Sequence, residues 1–407
     1  MRILHTSDWH LGRTLHGVDL LDHQARYLDH LVEAAQTEKV DAVLVSGDVY
    51  DRAVPPVPAV QLLESALRRL ADRTHVVLTS GNHDSAVRLG FGSGLFTERV
   101  RVRCRLAEIG QAIRIPTRDG DLAGLVYGLP YLDPDVARYA LADDEEPLGR
   151  SHEAVVAAAM RRVHVDLGRR RADEGHHVPA VVMAHAFVVG GTSSESERDI
   201  RVGGVDSVPA GLFTGQDARS AVDYAALGHL HGPQQVRAPR VGDDGAASGG
   251  PVLRYAGSPL AYSFSEQAQH KSTALVELGP DGASSVELLA APVPRPLRDV
   301  TGTLEELQGR AFDADVDAWI RATVTDDVRP PELYAAVVKR FPHALVVQHR
   351  PARERLAAAA PAIDAGVDPL EIAAQFVYEV GGRHATTEEA LVLRAAYEHA
   401  VALDRSP

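Results

Sequence analysis

Short apolar runs alternate with amphipathic stretches through the first third of the chain. Residues 2–6, 41–46 and 75–79 are apolar enough along their length to predict buried strands. Between them, residues 22–38 show helical spacing, with Leu28, Leu31, Val32 and Ala35 on one side. Residues 58–72 predict a second helix, with Pro58 early, where its missing N–H costs nothing. Continuous apolar strands separated by amphipathic helices indicate a sheet covered on both faces.

The pattern continues with strands at 122–128, 180–184 and 224–228 and a helix at 151–168. It then turns to strands alone, at 252–257, 272–278 and 285–291, separated by Gly/Pro turns. Residues 168–177, Arg-rich and then acidic, and 242–250, nearly all Gly, Ala, Ser and Asp, read as flexible insertions. A Pro-rich stretch at 291–296 marks a boundary. Beyond it, strands at 297–300, 319–324 and 344–348 and helices at 304–307 and 331–340 make a small α/β unit. An Ala/Pro-rich linker fills 351–367. The last forty or so residues predict a helical hairpin. Asp368, Pro369 and Glu371 open its first helix and Gly381-Gly382 close it. Thr386 and Glu389 form a capping box for the second. Leu370, Ala373, Val377 and Val380 share one face, Ile372 and Phe376 another.

A chain of 407 residues suits two or three domains. No apolar run approaches the ~20 residues that span a bilayer. The opening Met1-Arg2-Ile3-Leu4-His5 lacks the apolar segment and cleavage site of a secretion signal, so cytoplasm is the expected location, with no membrane role. The single cysteine, Cys104, excludes an intrachain disulfide; it reads as a small core residue without a catalytic role. The net charge of −14 argues against a stand-alone nucleic-acid binder, because phosphate contacts want a basic surface.

The chemistry-bearing residues fall at the C-terminal ends of the strands, where ligands bind in open α/β sheets. Asp8-Trp9-His10 follows the first strand, Gly47-Asp48-Val49-Tyr50-Asp51 the second and Gly81-Asn82-His83-Asp84 the third. His185 follows the strand at 180, and Gly228-His229-Leu230-His231 the strand at 224. Carboxylate, imidazole and amide ligands without a competing Cys suit Mn²⁺, Fe²⁺ or Zn²⁺. They are too many for one ion and right for two ions sharing a carboxylate. In Asp-x-His and His-x-His, residues i and i+2 point the same way along an extended strand end. Taken singly, each piece has a bland reading, as a turn, an Asx cap or a satisfied core histidine. In this order, each after a strand, coincidence is a poor account.

The set resembles the calcineurin-like metallophosphoesterase superfamily. Ser7-Asp8-Trp9-His10-Leu11-Gly12-Arg13, Gly228-His229-Leu230-His231-Gly232-Pro233-Gln234 and Tyr255-Ala256-Gly257-Ser258-Pro259-Leu260 with Ser263-Phe264 narrow it to the SbcD family of nuclease subunits. The resemblance implies an α/β, four-layer sandwich: two mixed β-sheets flanked by helices, a small α/β capping domain and a C-terminal helical hairpin. It implies a nuclease domain at 1–291, a DNA-capping domain at 292–350, a linker at 351–367 and a partner-binding hairpin at 368–407. Asp8, His10, Asp48 and His231 would hold one metal, and Asp48, Asn82, His185 and His229 the second. The ions would most often be Mn²⁺, with Mg²⁺, Fe²⁺ or Zn²⁺ as alternatives. His83 would be the general acid or transition-state stabiliser, with Asp84 orienting its ring. Asp51 reads as an outer partner of a ligand histidine. Arg13, His16 and Arg52 fall in the same loops, as contacts to DNA phosphates or as solvated surface.

By the same resemblance the partners are DNA, a second copy of the chain and an SbcC-type ABC ATPase, in a heterotetramer. The activity is double-strand exonuclease and single-strand or hairpin endonuclease. A small-molecule or nucleotide phosphodiesterase would use the same metal core, but the capping unit and helical tail argue against it. A scaffold with a dead site would lack a ligand, and none is missing.

Overall fold

The computed structural model describes residues 1–117, 120–197, 207–237 except 216 and 218, 250–351 except 281 and 283, and, further on, 370, 373, 374, 377 and 384–404. Two compact units divide the chain: 1–323 with 332–348, and 324–331 with 349–407.

Two six-stranded sheets dominate the first unit. The first contains β1 (Arg2–Thr6), β2 (Ala42–Ser46), β3 (His75–Thr79) and β4 (Val100–Arg103). The second contains β5 (Ile113–Pro116), β6 (Leu122–Gly128), β7 (Ala180–His185), β8 (Tyr224–Gly228), β9 (Gln234–Val236) and β10 (Val252–Tyr255). β11 (Ser272–Leu278) and β12 (Ser284–Ala290) return to the first sheet. Its order is β12-β11-β1-β2-β3-β4, and that of the second is β9-β10-β8-β7-β6-β5. The ligand-bearing strands run parallel in the middle of each sheet: β1 beside β2 beside β3, and β7 beside β8, with β6 parallel on the other side of β7. Their C-terminal ends therefore open on one side of their sheet.

Strand alternation divides the apolar residues between three cores. Ala42 and Leu44 of β2 point inward and meet Val181 and Met183 of β7 and Tyr224 and Ala226 of β8. Val43 and Val45 point outward, under helices α1 (Leu21–Thr37) and α2 (Val57–Ala71). On the far side, Val182, Ala184, Ala225 and Leu227 face α3 (His152–Glu174) through Val156, Met160 and Val163. Helix, sheet, sheet and helix are the four layers the resemblance implies. Each fully buried Leu or Val side chain stabilises this stack by roughly 1.5–3 kcal/mol.

The stretch 168–177 is not an insertion. α3 runs through it to Glu174 and is capped by Gly175 in the left-handed region. Asp166 pairs with Arg169 and Arg170 one turn on. Arg171 is buried, donating to Val178 O and pairing with Asp223 at 2.8 Å. A run that reads as solvated charge is thus tied to the second sheet.

A third sheet orders β13 (Leu297–Gly302), β14 (Trp319–Val324) and β15 (Ala344–His349), accompanied by α4 (Leu333–Arg340). Leu297 and Trp319 are buried with Leu15, Leu20, Leu260, Tyr262 and Phe264. In the second unit, α5 (Thr387–Asp404) begins with the expected capping box: Glu389 N donates to Thr386 Oγ1 and Thr386 N to Glu389 Oε2. The start and end of the expected first hairpin helix, its Ile372 and Phe376, the 352–367 part of the linker and the 242–249 insertion lie outside the described residues.

Candidate metal centre

The main chain folds the strand ends onto one another. Asp8 N donates to Gly47 O at 3.1 Å, His10 N to Asp48 O at 2.9 Å and Leu11 N to Val49 O at 2.9 Å, zipping the β1 loop to the β2 loop. His229 N donates to Asp8 Oδ1 at 3.0 Å, and so joins the second sheet to the first. The sheets touch here: a Cβ on Gly228 would sit 1.8 Å from Ser46 O, and one on Gly81 2.1 Å from Asp48 Oδ1. Only glycine fits either place. Asp8, His10, Asp48 and His229 all stand at positive φ, an arrangement costing on the order of 1 kcal/mol or more at each position.

The side chains converge inside this frame, all of them buried except Asn82, which is partly so. Asp8, His10 and His231 bring one donor atom each within 4.8 Å of one another, and so do Asp8, Asp48 and His185. Asp8 belongs to both groups, and Asp48 reaches toward a histidine of each. Asp48 Oδ1 accepts the His83 backbone N–H at 2.8 Å, and its Oδ2 lies 3.7 Å from His10 Nε2 and 3.4 Å from His185 Nε2. Asn82 Oδ1 lies 2.9 Å from His185 Nε2, and the His229 ring is 5.4 Å from that of His185.

The contacts of the outer nitrogens test whether a cation fits. His231 Nδ1 faces Ser196 Oγ at 2.7 Å and Glu266 Oε1 at 3.3 Å. His10 Nδ1 faces Asp51 Oδ1 at 3.5 Å, and His185 Nδ1 donates to Ser46 O at 3.0 Å. Each Nδ1 faces an oxygen on the outside, which turns each Nε2 inward, toward the carboxylates. Two such nitrogens, on His10 and His231, stand 3.1 Å apart. Two imidazole nitrogens at that distance need a positive charge between them, a shared proton or a cation that both ligate. Imidazole, carboxylate and amide oxygen suit a divalent ion of the Mn²⁺, Fe²⁺ or Zn²⁺ kind.

Electrostatics agree. Burial lowers His10 and His229 to about 3, keeping them in the neutral form that ligates. Burial raises Asp8 to about 6. Burial also disfavours charge on His185 and Asp48, but their mutual attraction overrides it. Asp48 lifts His185 to about 9, and His185 holds Asp48 well below the usual carboxylate range. The pocket asks for positive charge, which a proton or a metal ion satisfies.

His83 is half-buried, its ring edge-on to His10 at 4.7 Å and its Nδ1 2.8 Å from Asp51 O. With His10 and Asp48 it also forms a group within ligand range. Asp84 does not orient the His83 ring. Its carboxylate accepts from the backbone N–H of Val49, Tyr50 and Gly81, so it braces the β2 and β3 loops against each other. The turn after Asn82 sends adjacent side chains in different directions, and Asp51's carbonyl takes the orienting place. Asp51's carboxylate stands 3.5 Å from His10 Nδ1. Arg13 is packed into the wall, 3.6 Å from Asp51, donating to Ser196 O and lying over the Tyr262 ring. His16, exposed, leans on Phe264, and Arg52 is exposed beyond Asp51.

Sequence reading missed Ser196, Glu197, Glu266 and Lys271, which gather behind His231. Glu197 Oε1 accepts the His231 N–H at 2.7 Å. Glu266 and Lys271 follow Ser263-Phe264 closely, but a Glu and a Lys five residues apart read as surface.

Residues 1–233 match the family described as calcineurin-like phosphoesterase, and residues 293–380 the Type 5 capsule protein repressor C-terminal domain. The SbcD subunit of the nuclease SbcCD from Bacillus subtilis (strain 168) is 33% identical over 333 residues, covering 79% of this chain and 78% of the relative. The protein of the same name in Escherichia coli (strain K12) is 32% identical over 341 residues, covering 80% and 78%.

Proposed function

Since the chain belongs to the calcineurin-like phosphoesterases and, among them, to the SbcD nuclease subunits, we propose that it cleaves DNA with two Mn²⁺ ions, as an exonuclease on double-strand ends and an endonuclease on single strands and hairpins. It is a metal-dependent phosphodiesterase of the nuclease type. The observation that carries the reading is the pair of inward-facing nitrogens on either side of Asp48 Oδ2, supplied by different sheets. Asp8, His10, Asp48 and His231 hold one ion, and Asp48, Asn82, His185 and His229 the other. A pair of divalent ions supplies charge to the phosphate's non-bridging oxygens and lowers the pKa of the attacking water.

The chain's own groups do the rest. His83, tethered through Nδ1 to Asp51 O, keeps Nε2 for delivering a proton to the leaving oxygen. Asp51 orients His10, Ser46 O orients His185, and Asp84 holds the two loops that carry Asp48 and Asn82.

The rest of the assignment follows the family. Residues 1–291 are the nuclease domain, 292–350 cap the DNA, 351–367 link, and 368–407 bind an SbcC-type ATPase. Exposed Leu391, Val392 and Tyr397 on α5 support that docking. A second copy docks on α2 and the segment after β3. An apolar groove of about 880 Å³ runs between Val60, Leu63, Leu67, Phe91, Leu95 and Phe96, and Phe91 and Leu95 are 84% and 90% exposed. The acidic chain grips DNA weakly alone, in a steeply salt-dependent way, and acts in the cytoplasm, on the nucleoid.

The test is Mn²⁺-dependent cleavage of an end-labelled duplex and a hairpin by wild type, His83→Ala and Asp48→Ala, with bis-p-nitrophenyl phosphate in parallel. DNA cleavage by wild type that both variants lose supports the assignment. Cleavage of the generic diester with DNA untouched, even with the partner ATPase present, replaces it with a small-molecule phosphodiesterase.

A further inference from the structure

Behind His231 lies a charged pair that the two-metal reading does not use. Glu266 and Lys271 are both buried, with side chains 0% and 1% exposed. Lys271 Nζ reaches Glu266 Oε2 at 2.5 Å, Gln269 Oε1 at 2.7 Å, Ser258 Oγ at 2.8 Å and the His231 carbonyl at 2.9 Å. The other carboxylate oxygen, Oε1, receives the Ser196 hydroxyl and faces His231 Nδ1 at 3.3 Å.

Removing two charges from water costs several kcal/mol per ion, and an apolar pair of the same size would often be at least as stable. Stability alone therefore gives no reason for the pair. Its geometry does. Lys271 occupies Oε2 and leaves Oε1 as the acceptor turned toward the imidazole. The same ammonium holds the His231 carbonyl, while Glu197 holds its N–H at 2.7 Å. Ring and main chain of one residue are thus fixed from three sides.

We infer that Glu266, paired with Lys271, is a positioning residue for His231: it fixes the ring proton on Nδ1 and aims the Nε2 lone pair at the ion shared with His10. The inference rests on the dimetal reading and extends it to residues outside the metal-bearing loops. Asp51, 3.6 Å from Arg13, stands in the corresponding place for His10 and Ser46 O for His185, but the pair behind His231 is the closer and the more fully buried. Outer partners of this kind change metal affinity about 10–100-fold when removed.

The test uses the full chain, metal-free, with ¹⁵N-labelled histidine. Long-range ¹H–¹⁵N spectra report which His231 nitrogen holds the proton, and electron paramagnetic resonance counts free Mn²⁺ during titration. Wild type is expected to show Nδ1–H at His231 and to bind two Mn²⁺. Glu266→Gln with Lys271→Met removes the pair without leaving a lone buried charge. In it the His231 ring is expected to populate both tautomers, and one Mn²⁺ to bind about 10–100-fold more weakly while the other changes little. Affinities at both sites unchanged from wild type in the double variant overturn the inference, as does a wild-type His231 protonated on Nε2, which decides the matter even if the double variant does not fold. Wild type that takes up no pair of Mn²⁺ ions overturns the dimetal reading itself, and this inference with it.

Discussion

His10 and His231 come from different sheets and meet with their Nε2 atoms 3.1 Å apart, each with its Nδ1 turned to an oxygen. The arrangement favours a cation at that point over none. Adding Mn²⁺ to metal-free protein is expected to raise the melting temperature, by about 2.7 kcal/mol of stability at one hundred times the dissociation constant. Excess chelator should reverse the rise, and calorimetry reads both. A melting temperature indifferent to Mn²⁺ would remove the centre from this structure.

His83 is assigned to the leaving oxygen. Replacing it with Gln should slow DNA cleavage by about 10²–10⁴-fold. Nitrophenolate needs no proton to depart, so hydrolysis of bis-p-nitrophenyl phosphate should fall far less. Mn²⁺ stoichiometry should stay at two. Loss of one ion in the variant would mean that His83, which stands within ligand range of His10 and Asp48, is a ligand instead.

Asp84 is a brace, receiving three backbone N–H groups from two loops. Asp84→Asn turns an amide donor toward at least one of them, at a cost of about 1–3 kcal/mol. Melting temperature and metal affinity should fall together. A variant with wild-type melting and a slow chemical step would return Asp84 to direct catalysis.

His5 offers a pH test away from the metals. Burial, with Arg254 nearby, lowers it to about 3, and its Nδ1 bonds Tyr224 Oη at 2.9 Å. The unfolded chain protonates this imidazole below about 6.5, and the folded chain only near 3. Its contribution is therefore present above 6.5 and lost as pH falls toward 3. The loss from pH 7 to pH 5 should be about 2 kcal/mol. His5→Gln should lose that much less over the same interval in urea unfolding. Parallel wild-type and variant curves would show that His5 titrates normally.

The groove beside α2 predicts self-association. Phe91→Asp with Leu95→Glu should halve the mass seen in sedimentation while leaving Mn²⁺ uptake unchanged. A wild type already monomeric at high micromolar concentration would reassign that surface.

The strands carrying the site were legible because buried parallel strands read as unbroken apolar runs, and each ended in its ligands. The four layers followed from the same runs, with the resemblance supplying their number. What stayed hidden depends on three-dimensional neighbours. Arg171 and Lys271 look like solvent-facing charge in the chain, and only Asp223 and Glu266, brought from elsewhere, make their burial tolerable. Asp84 adjoins His83 in sequence, but a turn sets the bond directions, and adjacency misassigned its partner. Glu266 could not have been linked to His231 from spacing, since 35 residues separate them.

Gly228 and Ser46 belong to opposite sheets, and their backbones meet where the ligands gather. At that end the gap between the sheets is set by main chain against main chain. Elsewhere it is set by side chains such as Leu44 and Met183, which can change rotamer and absorb the loss of a methyl group. A peptide carbonyl pressed on a glycine has no such slack. The part of the molecule with the tightest dimensional tolerance is thus gauged by its least compressible contact. Erosion of the inter-sheet core should weaken the protein well before it alters the spacing of the donors.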